Sequence, residues 1–300
     1  MKGQVHYEKR GASALLSIDN PPVNPLSSGV RQGLFDGVAR ALADNEVKAI
    51  VLTGLNRAFI AGADISEFGA AATQGASLNE VLEQMESSPK PIIAAINGTA
   101  FGGGLEVALC CDYRIASSTA PVGLPEVKLG LLPGAGGTQR LPRLVGAAAA
   151  IQAIVSGNPI VAGKALDMGI VDKVVETDIV ESGLEFAEEI ISKGSPTRKI
   201  RDLVDKIQAD KGNTELFELA ATGLDKTHRG QFAPQQILKC IEAAVNAADF
   251  DAGMAVERQC FSECLSHPQR EALIHIFFAE RAANKIPGLS KEVPLIDVQK

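Results

Sequence analysis

Two glutamates stand out for what surrounds them. Glu106 follows the run Gly102-Gly103-Gly104, and Glu126 follows the turn Gly123-Leu124-Pro125, each within an otherwise apolar neighbourhood. A carboxyl group removed from water resists ionisation, so its pKa rises and it becomes a usable proton donor. Two such groups suit general acid–base chemistry, one taking a proton while the other supplies one. The bland explanation stands beside this. The chain has 36 acidic residues, so pairs arise by accident. A glutamate in a helix's first turn also gains about 0.3–1 kcal/mol from the dipole alone.

Glycines gather in three places. The first cluster, Ala61-Gly62-Ala63-Asp64-Ile65, follows an apolar strand pattern, and a small-residue turn there lets a ligand approach free backbone amides, though a plain strand-to-helix turn would look the same. In the second, Asn97-Gly98-Thr99-Ala100-Phe101-Gly102-Gly103-Gly104, the glycines run straight into a helical pattern. Unpaired amides and the positive dipole end at a helix start stabilise an anion or a charge that develops during reaction. The third, Gly130 to Arg140, contains Gly134-Ala135-Gly136 but has Gln139 where a dinucleotide fingerprint needs glycine, and no Gly-Lys-Ser/Thr follows as a phosphate loop requires.

Strand patterns at residues 12–19, 49–53, 91–96, 113–116 and 170–175 alternate with helical patterns at 27–44, 78–87, 104–110 and 147–156. That alternation predicts an α/β region with a largely parallel or mixed sheet. Beyond residue 176 only helical patterns follow, at 179–193, 196–209, 234–248, 251–265 and 268–285, with Pro234 and Pro268 placed where a first helical turn tolerates a missing donor. The last fourteen residues have a linker's composition, which suggests that something further once followed.

Composition limits the partners. Apolar residues are 46% and charged residues 22%, as in globular chains, with 29 glycines, no Trp and a net charge of −7. An acidic chain with few aromatics has neither the positive field nor the stacking platforms that nucleic acids require, and no field that draws it to an anionic membrane. The uncharged run at 144–163 contains Gln152, Ser156, Asn158 and Pro159, and reads as a buried helix followed by a turn. Charges near the N-terminus argue against a secretion signal. The five cysteines and four histidines show no metal-ligand spacing, so reduced core thiols and no metal site are expected, in a cytoplasm-like compartment.

The order of these motifs resembles the crotonase (enoyl-CoA hydratase/isomerase) family: Ala61 to Ile65, then KPIIAAINGTAFGGGLEVALCCDYRIA, GLPEVKLGLLPGAGGTQRLPRLVG and GIVDKVV. The segment HPQREALIHIFFAERAANKIPG is more narrowly similar to the hydratase/isomerase part of multifunctional β-oxidation enzymes, in which a 3-hydroxyacyl-CoA dehydrogenase part follows. The resemblance implies an α/β crotonase-like fold, a stacked ββα superhelix with mixed sheets, and an α-helical C-terminal region. The divisions expected are a core over 1–190, a helical region over 191–286 and a linker-like tail over 287–300.

It also implies roles. A thioester carbonyl would sit between the backbone amides of Ala63 and Gly103, where losing one donor costs roughly 2.7–4 kcal/mol of barrier. Glu106 would activate water at Cβ while Glu126 delivers the Cα proton. Hydratases use both carboxyls, whereas isomerases of 3-enoyl thioesters use the one matching Glu126, so hydration with isomerisation as a second role is expected. Contacts to coenzyme A or substrate are expected from Ala61, Gly62, Asp64, Ile65 and Gly102, with Arg57, Lys285, Arg31 and Arg281 as possible cations and Phe277 and Phe278 as possible tunnel walls. Coenzyme A would be part of the substrate, with no separate cofactor. A homo-oligomer, trimer or hexamer, or a fused or missing dehydrogenase part would be the partner. A truncated relative of eukaryotic multifunctional enzymes would be peroxisomal rather than cytoplasmic. The alternative is a non-catalytic acyl-CoA-binding or assembly module.

Overall fold

The computed structural model describes residues 3–64, 67, 75–194 and 197–283. Its larger sheet is built from β1 (Gln4–Arg10), β2 (Ser13–Asp19), β3 (Ala49–Gly54), β5 (Ile92–Ile96), β7 (Tyr113–Ser117) and β9 (Lys173–Val175), in that spatial order. β1 and β2 form an antiparallel hairpin, and every later pairing is parallel. β3 and β5 are buried at every position, as expected of parallel strands covered on both faces. Successive residues serve the two faces in turn. Leu16, Ile50, Leu52 and Ala94 join the main core, while Leu15, Val51, Ile93 and Ala95 pack against Leu184 and Ala187 of the helix Ile179–Ser192 on the other face.

The second sheet is small and wholly parallel: β4 (Ala58–Ile60), β6 (Thr99–Phe101) and β8 (Val122–Gly123), ordered β4-β6-β8. Each follows a strand of the larger sheet, β3 to β4, β5 to β6 and β7 to β8, which makes the chain a stack of strand–strand–helix units. These strands of two or three residues are too short to show a period, and none was expected from the sequence. Their parallel course puts their carboxyl ends on one edge, the usual place for a ligand site in parallel sheets.

The helices in chain order are α1 (Ser28–Ala43), α2 (Leu78–Glu86), α3 (Gly103–Cys110), α4 (Gly137–Val145), α5 (Ala147–Ser156), α6 (Ala162–Asp167), α7 (Ile179–Ser192), α8 (Asp205–Asp210), α9 (Thr214–Thr227), α10 (Ala233–Asn246), α11 (Phe250–Ser266) and α12 (Pro268–Ala283). α1, α2, α3, α5, α7, α10, α11 and α12 lie within two residues of their predicted starts, and the polar, Pro-containing run after 144 is a buried helix and a turn, as predicted. No described helix is long and apolar enough to cross a membrane.

Three predictions fail. The helix expected over 196–209 is a short 3-10 turn, Ile200–Asp202, then α8, because the Arg198 amide and the Lys199 ammonium are both tied to Asp112 and hold the segment against the sheet. Tertiary contacts override local propensity there. The strand expected over 170–175 is only β9. α4, α6 and α9 were unforeseen: α4 begins among glycines and contains Pro142, and α9 buries only Phe217 and Leu224.

One hydrophobic cluster runs from Ala14 in β2 to Cys264 in α11, and includes Ile237, Cys240 and Ile241 of α10. The helical tail therefore shares its core with the α/β region. α12 is the exception, with no buried residue and with Ile276 and Phe278 about half exposed.

Candidate active site

All three strands of the small sheet end at one cavity of about 540 Å³, lined by Ala63 and Asp64 after β4, by Gly103 and Glu106 of α3 after β6, and by Glu126 after β8. The strand ends are stitched together by the backbone. Leu26 N donates to Gly62 O at 2.9 Å, and Gly102 N donates to Gly123 O at 2.9 Å. A Cβ added at Gly103 would lie 4.0 Å from Ala63 N, so these two main-chain positions face each other closely. Among the described residues neither the Ala63 nor the Gly103 amide has a hydrogen-bond acceptor. Gly103 opens α3, where the first amides have no partner within the helix.

Glu106 is 3% exposed, and its Oε1 accepts from the amides of Ala135 and Gly137, both at 2.8 Å. Burial raises its pKa above the ordinary carboxyl range, while those two amides and the Arg140 guanidinium oppose the rise. Glu126 opens a 3-10 turn, Glu126–Leu129, and its Oε2 is buried with no hydrogen-bond partner among the described residues. Burial, then the charges of Glu106 and Glu257, push its pKa well up. Environment thus separates the pair. Glu106 has amide donors that favour its charged form, and Glu126 has a bare oxygen beside like charges that favour its protonated form.

Gly102 makes room for this arrangement. Its φ of +53° and ψ of −128° lie where side chains are rarely tolerated, and a Cβ there would meet Glu126 Oε1 at 2.7 Å.

The remaining predicted contacts divide. Ala61 and Gly62 lead from β4 into the cavity wall, with Ala61 N bonded to Val23 O at 3.1 Å, but only Ala63 and Asp64 of this segment line the cavity. Arg57 does not reach it: the residue is exposed in the turn between β3 and β4. Arg31 lines the cavity, yet its guanidinium donates to Leu26 O, Ala76 O and Glu67 Oε2 at 2.8, 3.1 and 3.1 Å, so it braces the wall. Phe277 and Phe278 meet edge-on on α12, and the Arg281 guanidinium lies over the Phe277 ring, all three outside the cavity lining. Ile65 and Lys285 lie outside the described residues.

Sequence reasoning brought the tail to the site through other residues than those that line it: Phe261 and Leu265 of α11 and Arg270 of α12 line the cavity together with Leu131 and Leu132. It missed Glu257, fully buried on α11. A signal existed: Gly253, Glu257, Cys260 and Cys264 recur at helical spacing as the buried stripe of α11, so Glu257 is a charge at a core position.

Parallel strand–strand–helix units with a site at the carboxyl edge of the smaller sheet define a crotonase fold. The sequence profile described as "Enoyl-CoA hydratase/isomerase" matches residues 8–229, and the chain belongs to that family. The chain is 43% identical over 274 residues to the peroxisomal bifunctional enzyme of Homo sapiens, covering 91% of this chain and 38% of that protein. It is 36% identical over 288 residues to the glyoxysomal fatty acid beta-oxidation multifunctional protein MFP-a of Cucumis sativus, covering 92% and 39%. The chain thus spans about two fifths of the length of these relatives. Among solved structures, carnitinyl-CoA hydratase from Mycobacterium avium is 28% identical and superposes with a TM-score of 0.67, covering 94% of this chain and 97% of that one.

Proposed function

We propose that this chain hydrates 2-enoyl-CoA thioesters, adding water across the 2,3 double bond, and isomerises 3-enoyl to 2-enoyl thioesters as a second activity. The observation that carries the reading is the convergence of Glu106 and Glu126 on one cavity with the amides of Ala63 and Gly103, which have no acceptor among the described residues. Water held by Glu106 attacks Cβ as Glu106 takes its proton. Charge moves to the thioester oxygen, which the two amides receive as preorganised donors. Glu126 then supplies the proton to Cα. Atoms balance as one water added, and coenzyme A enters and leaves as part of the substrate with no further cofactor.

Two features weigh against the non-catalytic alternative. A binding module has no use for a buried carboxyl oxygen without a partner, whose desolvation costs free energy unless a ligand engages it. Nor does it need two buried carboxyls in such different surroundings, one accepting from two amides and the other lying beside like charges. The relatives' names place them in peroxisomes or glyoxysomes and call them bifunctional or multifunctional, which supports the peroxisomal compartment and a neighbouring dehydrogenase activity that would consume the 3-hydroxyacyl product. We keep a core over 1–190 and a helical region over 191–286 as a working division of one chain with a shared core, in which the tail contributes to the cavity wall.

A steady-state series of 2-enoyl-CoA and 3-enoyl-CoA substrates from four to sixteen or so carbons tests the reading. The expected outcome is loss of enoyl absorbance with every 2-enoyl substrate that fits, and slower conversion of the 3-enoyl series. Saturable binding of these thioesters with no product would contradict it and favour the binding module.

A further inference from the structure

The loop that holds Glu106 is itself held from the other side. Four consecutive amides alternate between two buried carboxylates: Ala135 N and Gly137 N donate to Glu106 Oε1, while Gly136 N donates to Glu257 Oε1 at 2.7 Å and Thr138 N to Glu257 Oε2 at 3.2 Å. Thr138 Oγ1 and Glu257 Oε2 lie 2.5 Å apart, and Gln139 Nε2 donates to that hydroxyl at 3.0 Å and to Cys240 O at 2.9 Å. The loop's carbonyl side is fixed as well, with Arg140 donating to Ala135 O at 2.9 Å. Only small residues permit this. Gly136 has φ +93°, and a Cβ on it would collide with the Arg140 guanidinium.

We propose that Glu257, on α11 of the helical tail, is a positioning residue for hydration: by holding Gly136 and Thr138 it sets where Ala135 and Gly137 place the Glu106 carboxyl. The inference rests on the hydratase reading above. Its logic is mechanical. Gly136 turns the backbone left-handed just before α4 begins at Gly137, and across that turn the amides of Ala135 and Gly137 meet one carboxyl while those of Gly136 and Thr138 meet the other, so a clamp on one pair limits where the other can lie. Glu257 has no water-exposed surface and is absent from the cavity lining, so it cannot reach substrate itself. Its contacts cross 119 and 121 residues of sequence, tying the tail to the reacting groups. The third glycine cluster, which matches no nucleotide motif, is thereby explained as a strap between two carboxylates.

The test compares wild type with Glu257→Met, which removes both acceptors, Glu257→Gln, which keeps one for Gly136 N, and Thr138→Val, which deletes only the hydroxyl. For crotonyl-CoA hydration, Glu257→Met should lower kcat about 10- to 100-fold, since a misplacement near 1 Å costs that much, with KM within about twofold. Glu257→Gln should retain more kcat than Glu257→Met, and Thr138→Val should lose about two- to tenfold, the worth of one hydrogen bond. Hydrogen exchange at residues 135–138 should accelerate at least about tenfold in Glu257→Met, as local protection is lost. A folded Glu257→Met protein with wild-type kcat, or with a loss confined to KM, overturns the proposal. Should that variant not fold, unchanged kcat and exchange in Thr138→Val overturn it instead. A wild-type chain without turnover overturns the hydratase reading alone, and the exchange measurement then decides whether Glu257 holds the loop.

Discussion

Glu106 and Glu126 differ in what their oxygens meet, and that difference sets a pH dependence. In the proposed hydration Glu106 is the base and must be ionised, and burial raises its pKa above the ordinary value of 4.5. In the same proposal Glu126 is the acid and must keep its proton, and burial, then the charges of Glu106 and Glu257, push its pKa well above the ordinary carboxyl value. The profile of kcat against pH should therefore be a bell. Its acid limb should lie above the usual carboxylate range, and its alkaline limb should be removed in Glu126→Gln along with most of the activity. A profile flat through neutral pH and falling only near 4.5 would assign neither role. Much of this was legible in the sequence, because glycine turns flanking a glutamate in an apolar stretch mark a carboxyl meant to be buried. Glu257 was harder to see. Its partners Gly136 and Thr138 are remote in sequence, and no local spacing announces them.

At the scale of elements, the turns leaving the small sheet determine the site. Gly102 shows how little tolerance they have, since its backbone region and the Glu126 oxygen both exclude a side chain. Gly102→Ala should lower kcat by roughly 10- to 100-fold through displacement of Glu126. It should also destabilise the protein by about 1–3 kcal/mol from backbone strain. A melting curve and initial rates on the same preparation separate the two effects, and wild-type kcat in the Gly102→Ala variant would show that the turn is not a constraint on Glu126. The elements carrying these turns were legible unequally. β2, β3, β5 and β7 have runs of Ile, Val, Leu and Ala long enough to read, as do α1, α2 and α5. β4, β6 and β8 do not, since two or three residues carry no period, and their existence follows only from pairing with one another.

Across the whole molecule, both parts of the chain contribute to the cavity wall. The α/β region supplies the carboxyls and amides, and α11 and α12 supply Phe261, Leu265 and Arg270. A shared core ties the tail to the site: Cys240, Cys260 and Cys264 are buried in the same cluster as Leu105 and Leu109 of α3. The resemblance in sequence pointed to a helical tail near the site but not to Phe261, Leu265 and Arg270 as the residues that line it, because packing between distant segments is written in no local pattern. Net charge was informative in the same limited way. At −7 it argues against a diffuse polyanion partner, while Arg57, exposed and away from the cavity, shows that a cation near a motif in sequence need not be near it in space. The most direct measurement of the central claim is hydration of crotonyl-CoA by the purified chain beside Glu106→Gln and Glu126→Gln. Turnover by wild type with kcat reduced about 10²- to 10⁴-fold in each folded variant is the predicted result, and full activity in either variant would contradict the assignment of both carboxyls.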